Sequence, residues 1–152
     1  MELTMQDYIL ETPEAVKMNL KKGKKLCAPM VDDFLGSDYS RIVLVASGSS
    51  YNAALCAKEG MEQNLKIPVK IITPFYCENY FCPDKKDYLV FASQSGYSSN
   101  IVSAAQKKKK NFPIVCVTGH PESDLARIAD KIFDYGLCEE KVGYVTKGVI
   151  LL

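Results

Sequence analysis

The sequence predicts an α/β domain, a three-layer α/β/α sandwich built around a five-stranded parallel sheet. Three observations predict it. Short apolar blocks recur as continuous runs instead of alternating with polar residues, which is how strands buried on both faces read. Each block leads into a loop and then a helical pattern, and that alternation places a parallel sheet between layers of helices. The chain has 152 residues, 47% of them hydrophobic and 24% charged. That is close to the commonest size of one domain and enough to bury roughly 70% of the surface the unfolded chain exposes.

The elements follow in order. Thr12 suits a helix cap, Pro13 the first helical position and Glu14 the positive end of the dipole, so a first helix is expected from Thr12. Val16 and Leu20 share a face, and Gly23 within Lys21–Lys25 ends that helix. A second short amphipathic piece covers Pro29–Leu35. Arg41–Ala46 is the first buried strand, followed by Ser47-Gly-Ser-Ser50 and a helix whose apolar face is Ala54, Ala57, Met61 and Leu65. Val69–Thr73 is the second strand, and Pro74–Phe81 a short aromatic helix or turn. Tyr88–Ala92 is the third strand, followed by Ser93-Gln-Ser-Gly96 and a helix from about Ser98 to Lys109. Pro113–Thr118 is the fourth strand, a helix follows near Asp124–Ala129, and Lys131–Tyr135 is the last strand. Five strands at this length suit a flavodoxin-like or Rossmann-like sandwich, in which ligands bind beyond the carboxyl ends of the strands.

Composition excludes several classes. The 19 basic and 18 acidic residues leave a net charge of +1, so no long-range field draws the chain to nucleic acid or an anionic membrane. No run of 18 apolar residues exists to span a bilayer. Residues 1–7 carry acids and no basic segment, so no secretory signal is expected. The six cysteines, Cys27, Cys56, Cys77, Cys82, Cys116 and Cys138, form no C-x-x-C pair. With His120 as the sole histidine, reduced thiols in the cytoplasm are the simpler expectation than disulfides or zinc. Cys56 and Cys116 read as small buried hydrophobes. No metal or organic cofactor is expected.

The rule on strand ends directs attention to 47–50 and 93–98. Both segments join a strand to a helix and are built from Ser, Gly and Gln. Small residues permit a tight turn, and the following helix offers unbonded N–H groups and a positive dipole end to an anion. Serine is also simply a good helix cap. Two such loops at matching ends of one sheet favour anion binding over capping alone. Other motifs fail: no G-x-G-x-x-G occurs, Gly143–Gly148 lacks the order of a P-loop, and Gly48-Ser-Ser-Tyr-Asn52 lacks the second glycine of a hydrolase elbow. Lys107–Lys110 lies where cations complement a helix C-terminus. Phe75, Tyr76, Tyr80 and Phe81 are either core or a contact between copies.

At this point the residues carry a resemblance. Ser47-Gly-Ser-Ser-Tyr-Asn52 resembles the C-G-T-S-Y-N stretch of sugar isomerase (SIS) domains. Ser93-Gln-Ser-Gly96 resembles that family's phosphosugar loop, and Val142–Lys147 is similar to its third segment, which ends in Thr-Lys and folds over the sugar. Met5–Pro13 is similar to the opening of the isomerase half of glucosamine-6-phosphate synthases. The resemblance covers nearly the whole chain, in order.

It implies a single SIS domain over 1–152, with a helical lead-in at 1–40 and the sandwich at 41–152, as the N-terminal half of a longer double-SIS protein. It implies phosphate and sugar contacts at Ser49, Ser50, Ser93, Gln94, Ser95 and Ser98, with Val145 and Lys147 on the third segment. Val145 stands where the family usually has Ser, and Tyr97 where the synthase usually has an acid. These departures point away from the aminating synthase toward a relative acting on another phosphosugar, such as a deglycase. The implied ligand is a phosphorylated sugar or amino sugar, the implied partner a second SIS domain in the same chain or a second copy. The implied function is that of a phosphosugar isomerase, aminotransferase or deglycase; the alternative is a sensor that binds phosphosugar without chemistry. The second domain of such proteins supplies a glutamate, a histidine and a lysine for catalysis. Within this chain, Glu139 and Glu140 are either a general base or a surface pair, and His120 either a ligand contact or a solvent-exposed loop residue.

Overall fold

The computed structural model describes residues 4–136 and Ile150. Along the chain it forms α1 (Met5–Leu35), β1 (Arg41–Val45), α2 (Gly48–Leu65), β2 (Val69–Ile72), α3 (Pro74–Asn79), β3 (Asp87–Ala92), α4 (Ser99–Lys109), β4 (Val115–Thr118), α5 (Asp124–Ile128) and β5 (Lys131–Asp134). The strands pair in parallel in the order β2-β1-β3-β4-β5, the flavodoxin-like arrangement. The five expected strands are therefore present within two residues of their expected limits.

Successive strand residues point to opposite faces, and two cores result. On one face Val43, Val45, Leu89, Phe91 and Cys116 pack with Cys77 of α3, Ile101 and Ala104 of α4 and Leu125 of α5. On the other, Ile42, Leu44, Tyr88, Val90 and Val115 meet Met30 and Phe34 of α1 and Ala54 and Met61 of α2. All of β3 is buried, whereas β5 at the sheet edge is mostly exposed. Each wholly buried Val, Leu, Ile or Phe contributes about 1.5–3 kcal/mol from apolar transfer, so β3 is the centre of stability.

The lead-in differs from expectation. It is one helix of 31 residues, with Pro13 and Pro29 inside it, not a helix ending at Gly23 and a separate piece. Thr4, not Thr12, is its cap: the Thr4 side chain accepts from the Asp7 amide, and the Asp7 carboxylate accepts from the Thr4 amide. The Thr12 hydroxyl instead donates to the Tyr8 carbonyl. Interior prolines cost helix hydrogen bonds, and contacts with the sheet offset that cost. Asp33 pairs with Lys131 and accepts from the Tyr88 hydroxyl, and Asn19 donates to the Tyr135 carbonyl.

Smaller corrections concern single side chains. Ala57 and Leu65 of α2 are exposed while Ala54 and Met61 pack inward. Cys56 is exposed, not buried, and Cys116 is buried as expected. Burial pushes the thiols of Cys77 and Cys116 up, to about 11 and about 12. Phe81 joins the core, whereas Phe75, Tyr76 and Tyr80 stay exposed. Lys108 donates to the Phe81 carbonyl and Lys109 pairs with Asp130, so two of the four consecutive lysines serve the fold. Among the described residues no helix is long and apolar enough to cross a membrane.

Candidate functional site

The strand order fixes where a site can form. β1 and β3 are neighbours, but β1 leads into α2 on one face and β3 into α4 on the other. A crevice opens where such connections diverge. Val45 lies opposite Phe91 in the sheet, so the segments starting at Ser47 and Ser93 leave it side by side. Between them is a cavity of about 240 Å³. Ser47–Ser50 form one wall; residues 92–95 and Ser98 form the other.

The walls carry neutral hydrogen-bonding groups. Ser50 is only 7% exposed, yet its hydroxyl has no hydrogen-bond partner among the described residues. Its hydroxyl lines the cavity and is free to bond a ligand there without first giving up a bond to the protein. The first bond of α2 runs from the Tyr51 amide to the Ser47 carbonyl, which leaves the amides of Gly48, Ser49 and Ser50 without partners among the described residues. Gly48 makes the entry turn at φ +55, a left-handed conformation that glycine adopts without steric cost.

Helix caps separate this site from the rest of the molecule. Thr4, Thr73 and Ser123 each cap their helix through the side chain. Ser47 and Ser98, which start α2 and α4 at the cavity, make no side-chain cap bond. The alternative that these serines serve only as caps therefore fails here. Two helix N-termini, each equivalent to about half a positive charge, meet at one cavity whose own lining holds no ionisable side chain. Such a site can hold an anion by amides, hydroxyls and dipoles; its described walls offer no acid or base.

The second wall is internally tied. Ser93 is buried and its Oγ accepts from the Gly96 amide at 3.1 Å. The Ser95 Oγ accepts from the Tyr97 amide at 3.3 Å. Both hydroxyls keep a proton to donate. The Gln94 carbonyl accepts from the Gly119 amide and the Thr118 hydroxyl.

Of the residues singled out from sequence, Ser49, Ser50, Ser93, Gln94, Ser95 and Ser98 all line this one cavity. Val145, Lys147, Glu139 and Glu140 lie outside the described residues. His120 is half-buried in the turn after β4, with its amide donating to the Thr118 hydroxyl. Sequence reasoning passed over Ser47, Thr118 and Ser123. Ser47 was visible in its loop, but its failure to cap is a matter of geometry. A separate apolar groove of about 310 Å³ lies under α1 and α2, lined by Met30, Phe34, Met61, Tyr88 and Phe133 among others; its apolar lining suits no phosphate.

Comparison with known proteins gives the family and the fold. The family model of the SIS domain matches residues 37–145. The chain is 33% identical over 119 residues to a glutamine–fructose-6-phosphate aminotransferase (isomerizing) of Listeria monocytogenes, which covers 77% of this chain and 18% of that enzyme. It is 30% identical over 156 residues to the enzyme of the same name from Pyrococcus horikoshii, covering 97% of this chain and 26% of that one. The chain thus spans about a fifth to a quarter of the length of these relatives. Among solved structures, the C-terminal domain of glucosamine-fructose-6-phosphate aminotransferase from Francisella tularensis superposes with a TM-score of 0.79 at 26% identity, over 97% of this chain and 43% of that one. A candidate phosphosugar isomerase from Clostridium difficile 630 gives a TM-score of 0.82 at 24% identity, over 99% and 42% respectively, and shows the shared fold.

Proposed function

The chain belongs to the SIS domain family, and on that premise we propose that it binds the phosphate of a phosphorylated sugar or amino sugar between its two serine loops. The observation that carries this is the cavity where two helices start without side-chain caps, lined by Ser50, whose hydroxyl makes no hydrogen bond among the described residues. A dianionic phosphate would meet the amides of 48–50 from one side and the hydroxyls of Ser93, Ser95 and Ser98 from the other. Gln94 and Ser49 reach the sugar; contacts from Val145 and Lys147, which lie outside the described residues, rest on the family resemblance. The activity proposed is that of a hexose-6-phosphate isomerase, aminotransferase or deglycase, without metal or organic cofactor. The support is the family and the aminotransferase relatives.

The unit is proposed to work as one SIS domain, residues 1–152, of a longer protein, paired with a second SIS domain or a second copy. Its share of the similar structures, 42% and 43%, supports that arrangement. Exposed free thiols at Cys27, Cys56 and Cys82 support a reducing, cytoplasmic setting. One observation favours the sensor as second reading: no ionisable side chain lines the described cavity, so binding alone is within its means.

Calorimetric titration with fructose 6-phosphate, glucosamine 6-phosphate and inorganic phosphate tests the proposal. Saturable binding of a phosphosugar, tighter than phosphate, is expected. Ser50→Ala and Ser95→Ala should each weaken it by about 1–3 kcal/mol. Ser50→Ala should leave the melting temperature unchanged, because the hydroxyl removed makes no hydrogen bond among the described residues. Equal affinity in both variants would remove the serine loops from the site. Binding without turnover by the full-length protein would favour the sensor.

A further inference from the structure

The shape of the 93–98 loop is set by a turn that does not line the cavity. Gly96 has φ +68, and a Cβ built there would lie 2.0 Å from the Ser123 Oγ, 2.5 Å from the Ser123 Cβ and 3.2 Å from the Thr118 Oγ1. Thr118 and Ser123 are both fully buried, at 0% exposure. The two segments are also laced together by hydrogen bonds. The Ser93 amide donates to the Val117 carbonyl, the Gly119 amide and the Thr118 hydroxyl to the Gln94 carbonyl, and the Leu125 amide to the Gly96 carbonyl. The bonds involving 93, 94 and 96 therefore anchor three residues of a four-residue stretch, leaving the Ser95 side chain exposed at the cavity.

We infer that Thr118 and Ser123 are positioning residues for the anion pocket: they hold Gln94–Gly96 in the one backbone shape that presents the Ser93 and Ser95 hydroxyls together. This rests on the anion-binding reading of the cavity. The physical reason is that affinity for a small anion depends on donors fixed before binding, since ordering a loose loop at the moment of binding costs affinity. Thr118 acts through the Gln94 carbonyl and, by accepting from the His120 amide, also fixes its own turn. Ser123 acts by close contact: its side chain occupies the space beside Gly96 that any other residue at 96 would need.

The test combines binding with amide exchange on the full-length protein, with inorganic phosphate and fructose 6-phosphate as probes. Thr118→Val keeps the packing volume and loses the hydroxyl; it should weaken binding about tenfold, the weight of one hydrogen bond, and speed exchange at Gly96 and Gly119. Thr118→Ser restores the hydroxyl and should return most of that loss. Gly96→Ala should weaken binding at least about tenfold, because a side chain at φ +68 strains the backbone and meets Ser123, and Ser123→Gly, which empties the space beside Gly96, should weaken binding and speed exchange at Gly96. Val69→Ala, in β2 at the far end of the sheet, is the control for lost stability and should leave affinity as in the wild type. Wild-type affinity in Thr118→Val and Gly96→Ala, or a loss in Val69→Ala as large as theirs, would overturn the inference while leaving the pocket in place. A wild type that binds neither probe would instead overturn the pocket, and the positioning role with it.

Discussion

Asp87 shows how single residues hold the end of the sheet opposite the cavity. Its carboxylate takes two 2.7 Å bonds from Arg41 and one of 2.8 Å from the Asp84 amide, with the side chain 2% exposed. Burial alone would push this carboxyl up; the Arg41 guanidinium and the Asp84 amide outweigh it and hold the group below its ordinary value. A carboxyl with a lower value folded than unfolded stabilises the fold fully above about pH 4. That contribution is lost as pH falls from there through the folded value. Asp87→Asn should cost about 2–3 kcal/mol at pH 7, less than a wholly buried pair because Arg41 is 34% exposed. In urea unfolding the gap to wild type should narrow at pH 3; a gap of equal size at both pH values would contradict this account. The pair was not legible in sequence, because Arg41 and Asp87 become neighbours only through the register of β1 and β3. Ser50 was legible as a residue of a serine loop, but its missing partner was not.

Elements were legible to the extent that their signals were local and unopposed. Buried strand runs and the serine loops after them have no competing pattern, and their places follow from sequence. For α1 the local signal pointed to Thr12 with Pro13, whereas the helix starts after Thr4 with Asp7, and proline and glycine within it resembled punctuation. What decides between them is tertiary: Asp33, Phe34 and Asn19 are held by the sheet, and they keep the helix continuous past both prolines. α2 ends on Lys66 at φ 57, a left-handed cap occupied by a side chain. A non-glycine residue there bears about 1–2 kcal/mol of strain, while glycine would add about 0.4–1 kcal/mol of unfolded-state entropy. Strain is the larger effect, so Lys66→Gly should raise stability by about 0.5–1 kcal/mol in denaturant titration. A destabilised variant would show that the lysine makes up the difference by some other contact.

At the scale of the whole molecule, the sheet sets a gradient of stability from β3 outward. β3 is buried along its length and paired on both sides, and β5 is exposed at one edge. Native-state hydrogen exchange should be slowest in β3 and its neighbour β1, and fastest in β5; equal protection across the five strands would count against this gradient. That the sheet is parallel was legible from alternation of strands and helices, and so was the end of the sheet at which the two serine loops meet. Its second tier was not, because Thr118 and Ser123 meet the 93–98 loop only once β4 lies beside β3. The contact between Gly96 and Ser123 has one more consequence, in the history of such sequences. Position 96 is closed to a side chain twice over, by its left-handed backbone and by Ser123, so it should stay glycine as long as the loop keeps its shape, even where position 123 shrinks. A lineage that placed a side chain at 96 would pass through a chain whose loop is forced out of place.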